Sequence, residues 1–408
     1  QQLCSVSLLS SKRISPEYEL GFVSRMYSSA HNAAPDNPQP LFIADDKVAR
    51  LPGFAIESAA LALSEGERSI DVQLTLAVAD ELRADFNQLL PLLLQCQQLS
   101  RFYALFGLLF SYYLFGPEHW LSDADKARLQ QKAKTLCLAH GDAQSYSCIV
   151  QLLQDDRMTV FYRYCSNLFL LRLSTAEGYS EVSEYSLQPL GGTEPGLLLS
   201  CQLSSSFAPL TANSQGLASM QLLLNPGAKL CGYTLCSQFD LVHCRLDVSV
   251  RGAGQLNLAN QQGPLDGSKP FWPFGPVPGR GSYLLFNHAD WQHKQLLALE
   301  LELHWAQLPD HSNGFAGHYA GYSEPGDPSQ PAIGNQSFTA QLDLLDNGQW
   351  QTLTEQAQQR SECALFANQA GSERLAPRQQ LIFNDVRAFR LQPAQAAVPY
   401  QNSATEGF

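Results

Sequence analysis

A switch of hydrophobic period in the middle of this chain limits the fold more than any single motif. From Asp80 to about Leu171 the apolar residues suit helices; from Glu181 onward they alternate. The run Phe102 to Phe115, FYALFGLLFSYYLF, is continuously apolar and stops at Gly116-Pro117. At fourteen residues it falls short of the ~20 that span a bilayer, so it reads as a buried helix. Ser122 is an N-cap for a helix over Asp123 to Leu138, with Asp125 at the positive end of the dipole and Gly141 as the stop. Ser145 to Gln154 suits a short helix, and Asp80 or Asp85 caps an earlier one. Pro91 sits in a first turn or breaks the run. Val160 to Leu173 mixes aromatic and β-branched residues and leaves helix and strand open.

Downstream, Leu197, Leu199, Cys201 and Leu203 alternate with Leu198, Ser200 and Gln202, and Val242, Cys244, Leu246, Val248 and Val250 with His243, Arg245, Asp247, Ser249 and Arg251. A period of two is the mark of a half-buried strand. Phe338, Ala340, Leu342 and Leu344 repeat it, and Asp346-Asn347-Gly348 is a hairpin turn into Trp350. Ile70, Val72, Leu74 and Leu76 place one such strand near the N-terminus, entered through a turn at Ser64-Glu65-Gly66-Glu67. The expected fold is α+β, mainly antiparallel and sandwich-like, with a helical segment in the N-terminal half. Its expected divisions are a strand and loop region over 1–79 with a linker at His31 to Pro40, a helical region over 80–171, antiparallel β over 172–395, and a disordered tail over 396–408.

One segment has a character of its own. Between Gly263 and Gly281 stand Pro264, Asp266, Gly267, Pro270, Pro273, Gly275, Pro276, Pro278 and Gly279. Proline fixes φ and glycine admits positive φ, so this run is an ordered loop. Phe271, Trp272 and Phe274 are threaded through it. Such aromatics serve as a stacking platform for sugars or as packing anchors in a core or interface. Proline-locked backbone favours packing, because it lowers the ordering cost of assembly. The chain then turns strand-like at Tyr283 to Phe286, and Leu297, Leu299, Leu301, Leu303 and Trp305 alternate with Ala298, Glu300, Glu302 and His304.

The same segment carries a motif series: Pro273-Phe274-Gly275, Gly281-Ser282-Tyr283, Trp305 ahead of Leu308-Pro309, and Tyr319 with Tyr322. It resembles the large baseplate subunits of contractile injection systems, which are related to phage-tail baseplate wedge proteins and loosely to the baseplate-J-like group. A second match is Pro52 to Leu74, PGFAIESAALALSEGERSIDVQL, and a third is Ser174 to Val182, where Tyr179 stands in place of the family's tryptophan. The matches are spread over 52–322, and none is a catalytic signature. The resemblance implies a wedge-type structural subunit near the base of the tube. Its partners would be other baseplate subunits, the hub and the sheath. No cofactor is implied. The protein would be made in the cytoplasm and assembled into a phage-tail-like particle, released from the cell in some systems. Its interface or packing residues would be Pro270, Phe271, Trp272, Pro273, Phe274, Gly275, Trp305, Tyr319 and Tyr322. The family is longer than this chain, and the start at Gln1 reads as a cut within a longer protein.

Composition narrows the remaining classes. The chain has 26 basic and 38 acidic residues, a net charge of −12, and no Lys/Arg cluster. That is a poor footprint for nucleic acid or for an anionic membrane. Charged residues make up only 16%, below the ~25% of an average domain, which suits a surface held against neighbours. The ten cysteines contain no Cys-x-x-Cys pair and read as buried reduced thiols. Cys231, Cys236 and Cys244 lie close together without paired zinc-ligand spacing.

Constellations that carry chemistry are weak. Gly252-Ala253-Gly254 lacks the third glycine of a dinucleotide loop and sits between strands. Gly279-Arg280-Gly281-Ser282 reads as a tight turn before an anion site. His288, Asp290 and His293, with His311 and His318, are a metal candidate without forced spacing. Glu300 and Glu302 share one face of a strand, and a solvated or interface face is the default. No nucleophile elbow or phosphate loop is present. The expectation is therefore a non-enzymatic assembly protein. The rival from another class is a carbohydrate-binding β-sandwich module of a secreted or tail-associated protein.

Overall fold

A computed structural model describes residues 53–79, 88–116, 121–190, 195–229, 235–236, 238–291, 296–346, 348–357, 359–384 and 386, with the strand backbones Gln2–Leu9, Gly21–Val23 and Gln39–Pro40. Most of the linker at His31 to Pro40, the helix starts at Asp80 and Asp85, Pro117, Cys231, His293 and the tail over 396–408 lie outside the described residues. The fold is α+β with mostly antiparallel sheets, and the main helices fall in the N-terminal half. The chain forms two compact units. One comprises Leu8–Leu63 and Ser69–Val248; the other comprises Gln1–Ser7, Ser64–Arg68 and Ser249–Phe408.

Among the described residues the first unit holds the α-helices Leu89–Gln95, Leu99–Phe115, Asp123–Ala139, Ala143–Gln154 and Arg157–Cys165. Each of the last three opens on a side-chain cap. The Ser122 hydroxyl accepts from Asp125 N at 3.2 Å, the Asp142 carboxylate from Ser145 N at 3.0 Å, and the Asp156 carboxylate from Thr159 N at 3.1 Å. These caps satisfy amides that a helix start leaves open. Pro91 lies in the first turn of its helix, where a missing N–H costs nothing. Phe102, Phe106, Leu109, Phe110, Leu114 and Phe115 are buried along the apolar helix. No helix among the described residues is long and apolar enough to cross a membrane. The ambiguous stretch resolves into two elements, the Arg157–Cys165 helix and the Phe169–Thr175 strand.

An antiparallel sheet in this unit runs in the order Gly21–Val23, Gly53–Ser58, Ala218–Leu224, Phe169–Thr175, Gly178–Val182. Its two central strands, Gly53–Ser58 and Ala218–Leu224, are buried at every described position, so both faces are covered. A second set of strands runs Phe239–Arg251, Glu67–Val78, Gly196–Leu203, Tyr185–Pro189. In Gly196–Leu203 the expected residues Leu197, Leu199, Cys201 and Leu203 are the buried ones. In Phe239–Arg251 the buried series is Phe239 and Leu241, then Cys244, Leu246, Val248 and Val250. The alternation slips by one residue at Val242 and His243, so Val242 is half-buried where the sequence puts it inside.

The second unit contains the antiparallel strands Leu296–His304 and Arg378–Asn384 and the paired part of Gln2–Leu9, with Leu296–His304 in the middle. Its register shifts where Ser5 pairs with Ala298 and Val6 with Leu296. The shift leaves Leu297 out of step, as a bulge does. Leu296 and Leu299 are buried, whereas Leu297, Leu301 and Leu303 are only half-buried. The single strand read at Phe338–Leu344 is instead two short strands. Thr339–Gln341 pairs with Glu362–Ala364, and Asp343–Asp346 pairs antiparallel with Gln349–Thr352, the pairing that a hairpin into Trp350 requires.

Candidate interaction site

The Pro270–Gly275 loop belongs to a three-stranded antiparallel sheet of Asn257–Asn260, Gly263–Leu265 and Leu284–Asn287. The loop connects the last two strands and is clamped by the hairpin between the first two. Asn260 is buried, and its amide donates to the carbonyls of Trp272 at 3.1 Å and Pro273 at 3.4 Å. The same side chain accepts from Gln262 N at 2.8 Å. Gln261 donates to the Phe274 carbonyl at 2.6 Å. A turn from Trp272 to Gly275 closes at 3.1 Å. Gly275 has φ +76°, and a Cβ there would stand 2.8 Å from the Gln261 amide nitrogen, so backbone and clamp both require glycine.

Four of the loop's carbonyl and amide groups are thus fixed by protein rather than by solvent. On that frame Phe271, Pro273 and Phe274 are half-buried, Pro270 is exposed, and Trp272 is 69% exposed. Val277 is 85% exposed and Tyr283 is also exposed. The segment between them is the expected tight turn, with Ser282 N donating to Gly279 O at 3.0 Å and Gly279 N to the Ser282 hydroxyl at 3.0 Å. Asp266 opens the loop with a local turn, accepting from Ser268 N and Oγ, and these bonds hold its carboxyl below the usual range.

Trp305, Tyr319 and Tyr322 fall in a different place. They line an aromatic cluster centred on Phe315, Phe338 and Phe366, of which only Phe338 stands out in the sequence, as a strand residue. Phe315 lies 4.7 Å from Phe338 and 4.9 Å from Phe366, ring centre to ring centre. Trp305 packs at a tilt against Phe366 at 4.6 Å and donates its indole N–H to Leu365 O at 2.7 Å. Tyr319 meets Phe315 from within the short Gly314–His318 turn of helix and its cap, and Tyr322 meets Tyr319 at 6.1 Å. Trp305 and Tyr319 are half-buried; Tyr322 is exposed. Among the described residues no ring contact joins the Phe271–Phe274 loop to this cluster. The motif series therefore divides into a presented loop and a structural core with one exposed tyrosine.

The metal candidates also separate. His288 is buried and bonded to Glu65, His311 accepts from Asn313 N, and His318 packs edge-on against Tyr319. Among the described residues no group of His, Cys, Asp and Glu is arranged to hold a metal ion. Cys236 and Cys244 are buried, and burial pushes the Cys244 thiol well above its usual range. Burial likewise raises Cys165 and Cys201 to about 12, which makes them poor nucleophiles. Glu302 pairs with His304 and with Arg378, and Glu300 accepts from Gln380, so both carboxylates engage the polar face of the sheet.

No protein-family model matches this chain, and no curated protein is significantly similar to it.

Proposed function

We propose that this protein is a structural baseplate component of a phage-tail-like contractile injection machine, working by assembly with other baseplate subunits, the hub and the sheath. The observation that carries the reading is Trp272. A large indole is held outward on a loop whose backbone is already fixed by Asn260 and Gln261. Holding the loop in advance removes much of the ordering cost of an interface, and tryptophan is the side chain most enriched at binding hot spots. The motif residues of the loop support the baseplate class. The same outward indole supports a second reading, a sugar-binding platform, because an exposed flat ring stacks on a pyranose face.

The test is to isolate phage-tail-like particles from cells that produce the protein and to locate it in them by mass spectrometry and tagged-subunit electron microscopy. The chain is expected at the baseplate end. Trp272→Ala should leave the purified chain folded, with its stability changed by less than ~1 kcal/mol, since most of the ring is already in water. It should nevertheless deplete the chain from particles. Absence from every particle fraction, combined with a glycan-array signal lost in Trp272→Ala, would transfer the assignment to the carbohydrate reading.

A further inference from the structure

One group of buried and half-buried ionisable side chains has no part in the loop or the aromatic cluster. It lies within the C-terminal unit, to which Ser64–Arg68 belongs. Three chain segments meet there. The Glu65 carboxylate accepts from Gly254 N at 2.9 Å, Gln255 N at 2.8 Å and His288 Nε2 at 2.8 Å. The Asp290 carboxylate accepts from Ser64 N at 2.8 and 3.0 Å. His288 is 2% exposed.

The protonation state of His288 follows from its partners. Asp290 N donates to Nδ1 at 3.1 Å, so Nδ1 holds a lone pair. Nε2 faces a carboxylate, which only accepts, so Nε2 carries the proton and the ring is neutral. Around it stand two carboxylates, Glu65 and Asp290, and one cation, the buried Arg68 guanidinium, which interacts electrostatically with Asp290. The Trp291 ring, 6.2 Å away, is uncharged.

A proton added at Nδ1 ends that atom's role as an acceptor. The nearest acceptor for the new donor is the Asp290 carboxylate, whose Oδ2 lies 4.0 Å away. That same oxygen is one of the two that hold Ser64 N. We propose that His288 is a proton-operated latch. Uptake of one proton from solvent at Nδ1 turns the Asp290 carboxylate from Ser64 to the imidazolium and frees the Ser64 end of the turn; loss of the proton resets it. Glu65 keeps its bonds to Nε2, Gly254 and Gln255 in both states, so the turn is released at one residue and tethered at the next. The latch does not depend on the baseplate reading.

The test is residue-resolved amide exchange on the whole chain from about pH 8 to about pH 5.5, corrected for intrinsic rates, across the range where imidazoles titrate. Opening at Ser64 should rise about tenfold per pH unit until the imidazole is mostly protonated, because it tracks the protonated fraction. Gly254 and Gln255 should stay protected. His288→Gln retains a donor toward Glu65 but cannot titrate, so its Ser64 profile should be flat. Three results would each overturn the latch: a flat Ser64 profile in the wild type, an equal rise in His288→Gln, or joint opening of Ser64, Gly254 and Gln255. Should His288→Gln fail to fold, the ring ¹⁵N shifts of wild-type His288 decide. They must change from the neutral Nε2–H form to imidazolium over this range, and a ring that stays neutral refutes the proposal.

Discussion

Replacing Asn335 with alanine should destabilise the C-terminal unit by about 2–4 kcal/mol, a large effect for one polar side chain. Asn335 is 6% exposed and uses both ends of its amide. Its Oδ1 accepts from Phe315 N at 2.8 Å, and its Nδ2 donates to Asn368 Oδ1 and to Glu373 O, each at 2.8 Å. These bonds tie the Gly314–His318 turn, which carries Phe315 into the aromatic cluster, to the segment around 368–373. Alanine strands the Phe315 N–H beside a buried ring, and a buried donor without a partner costs about 1–3 kcal/mol. The Glu373 carbonyl loses a net bond of about 0.5–1.5 kcal/mol, while the exposed Asn368 amide returns to water at little cost. Asn335→Asp separates bonding from shape. It keeps the volume and the acceptor for Phe315, but sets an oxygen against Asn368 Oδ1 and Glu373 O, so it should also destabilise. Urea unfolding of the full chain checks both, with the transition containing Trp305 followed by fluorescence and the slope m compared among variants. If Asn335→Ala stays within ~0.5 kcal/mol of wild type, or Asn335→Asp is neutral, the staple is not what holds this turn.

Three further outcomes follow from single positions. Gly66→Ala should cost about 1–3 kcal/mol by the same unfolding assay, because Gly66 has φ +78° and a Cβ there would stand 2.6 Å from Arg251 O. Gly317→Ala should cost about 1 kcal/mol, since its Cβ would lie 1.8 Å from His311 Nδ1 and displace a ring that accepts from Asn313 N at 3.1 Å. With His311→Ala already present the same substitution should cost nearly nothing, and a double-mutant cycle reads the difference. Burial of Glu65 works to raise its pKa, but bonds from Gln255, His288 and Gly254 outweigh it and hold the carboxyl below its usual range. Folding therefore favours the ionised form. The stability Glu65 contributes is complete above its unfolded value of about 4.3 and is lost as pH falls through the lower folded value. Urea midpoints of wild type and Glu65→Gln should differ at neutral pH and converge in that acid range.

How much of this is legible in the sequence depends on the range over which each cause acts. The Ser122 cap and the Leu197–Leu203 alternation are settled within a few residues, and both read directly. Val160–Leu173 stays open because its apolar residues suit either period. The deciding signal is polar and upstream: Asp156 caps the amide of Thr159 and commits the next residues to helix. Leu297 and Val242 fail for a different reason. A bulge or a phase slip changes which neighbour faces which, and a neighbouring strand's register is not written in the strand itself. The Phe271–Phe274 loop is legible as ordered, because proline and glycine act locally. Which aromatic points outward is not, since an irregular loop has no period to extrapolate; the answer rests with the clamps from Asn260 and Gln261. The aromatic centre at Phe315, Phe338 and Phe366 is longer in range, and Glu65 meets His288 across 223 positions. A half-buried carboxylate that accepts three bonds looks in sequence like any surface glutamate. What a single chain reveals is therefore where backbone is regular or locked; the polar contacts that fix loop to sheet, and on which both the outward indole and the imidazole latch depend, belong to the fold.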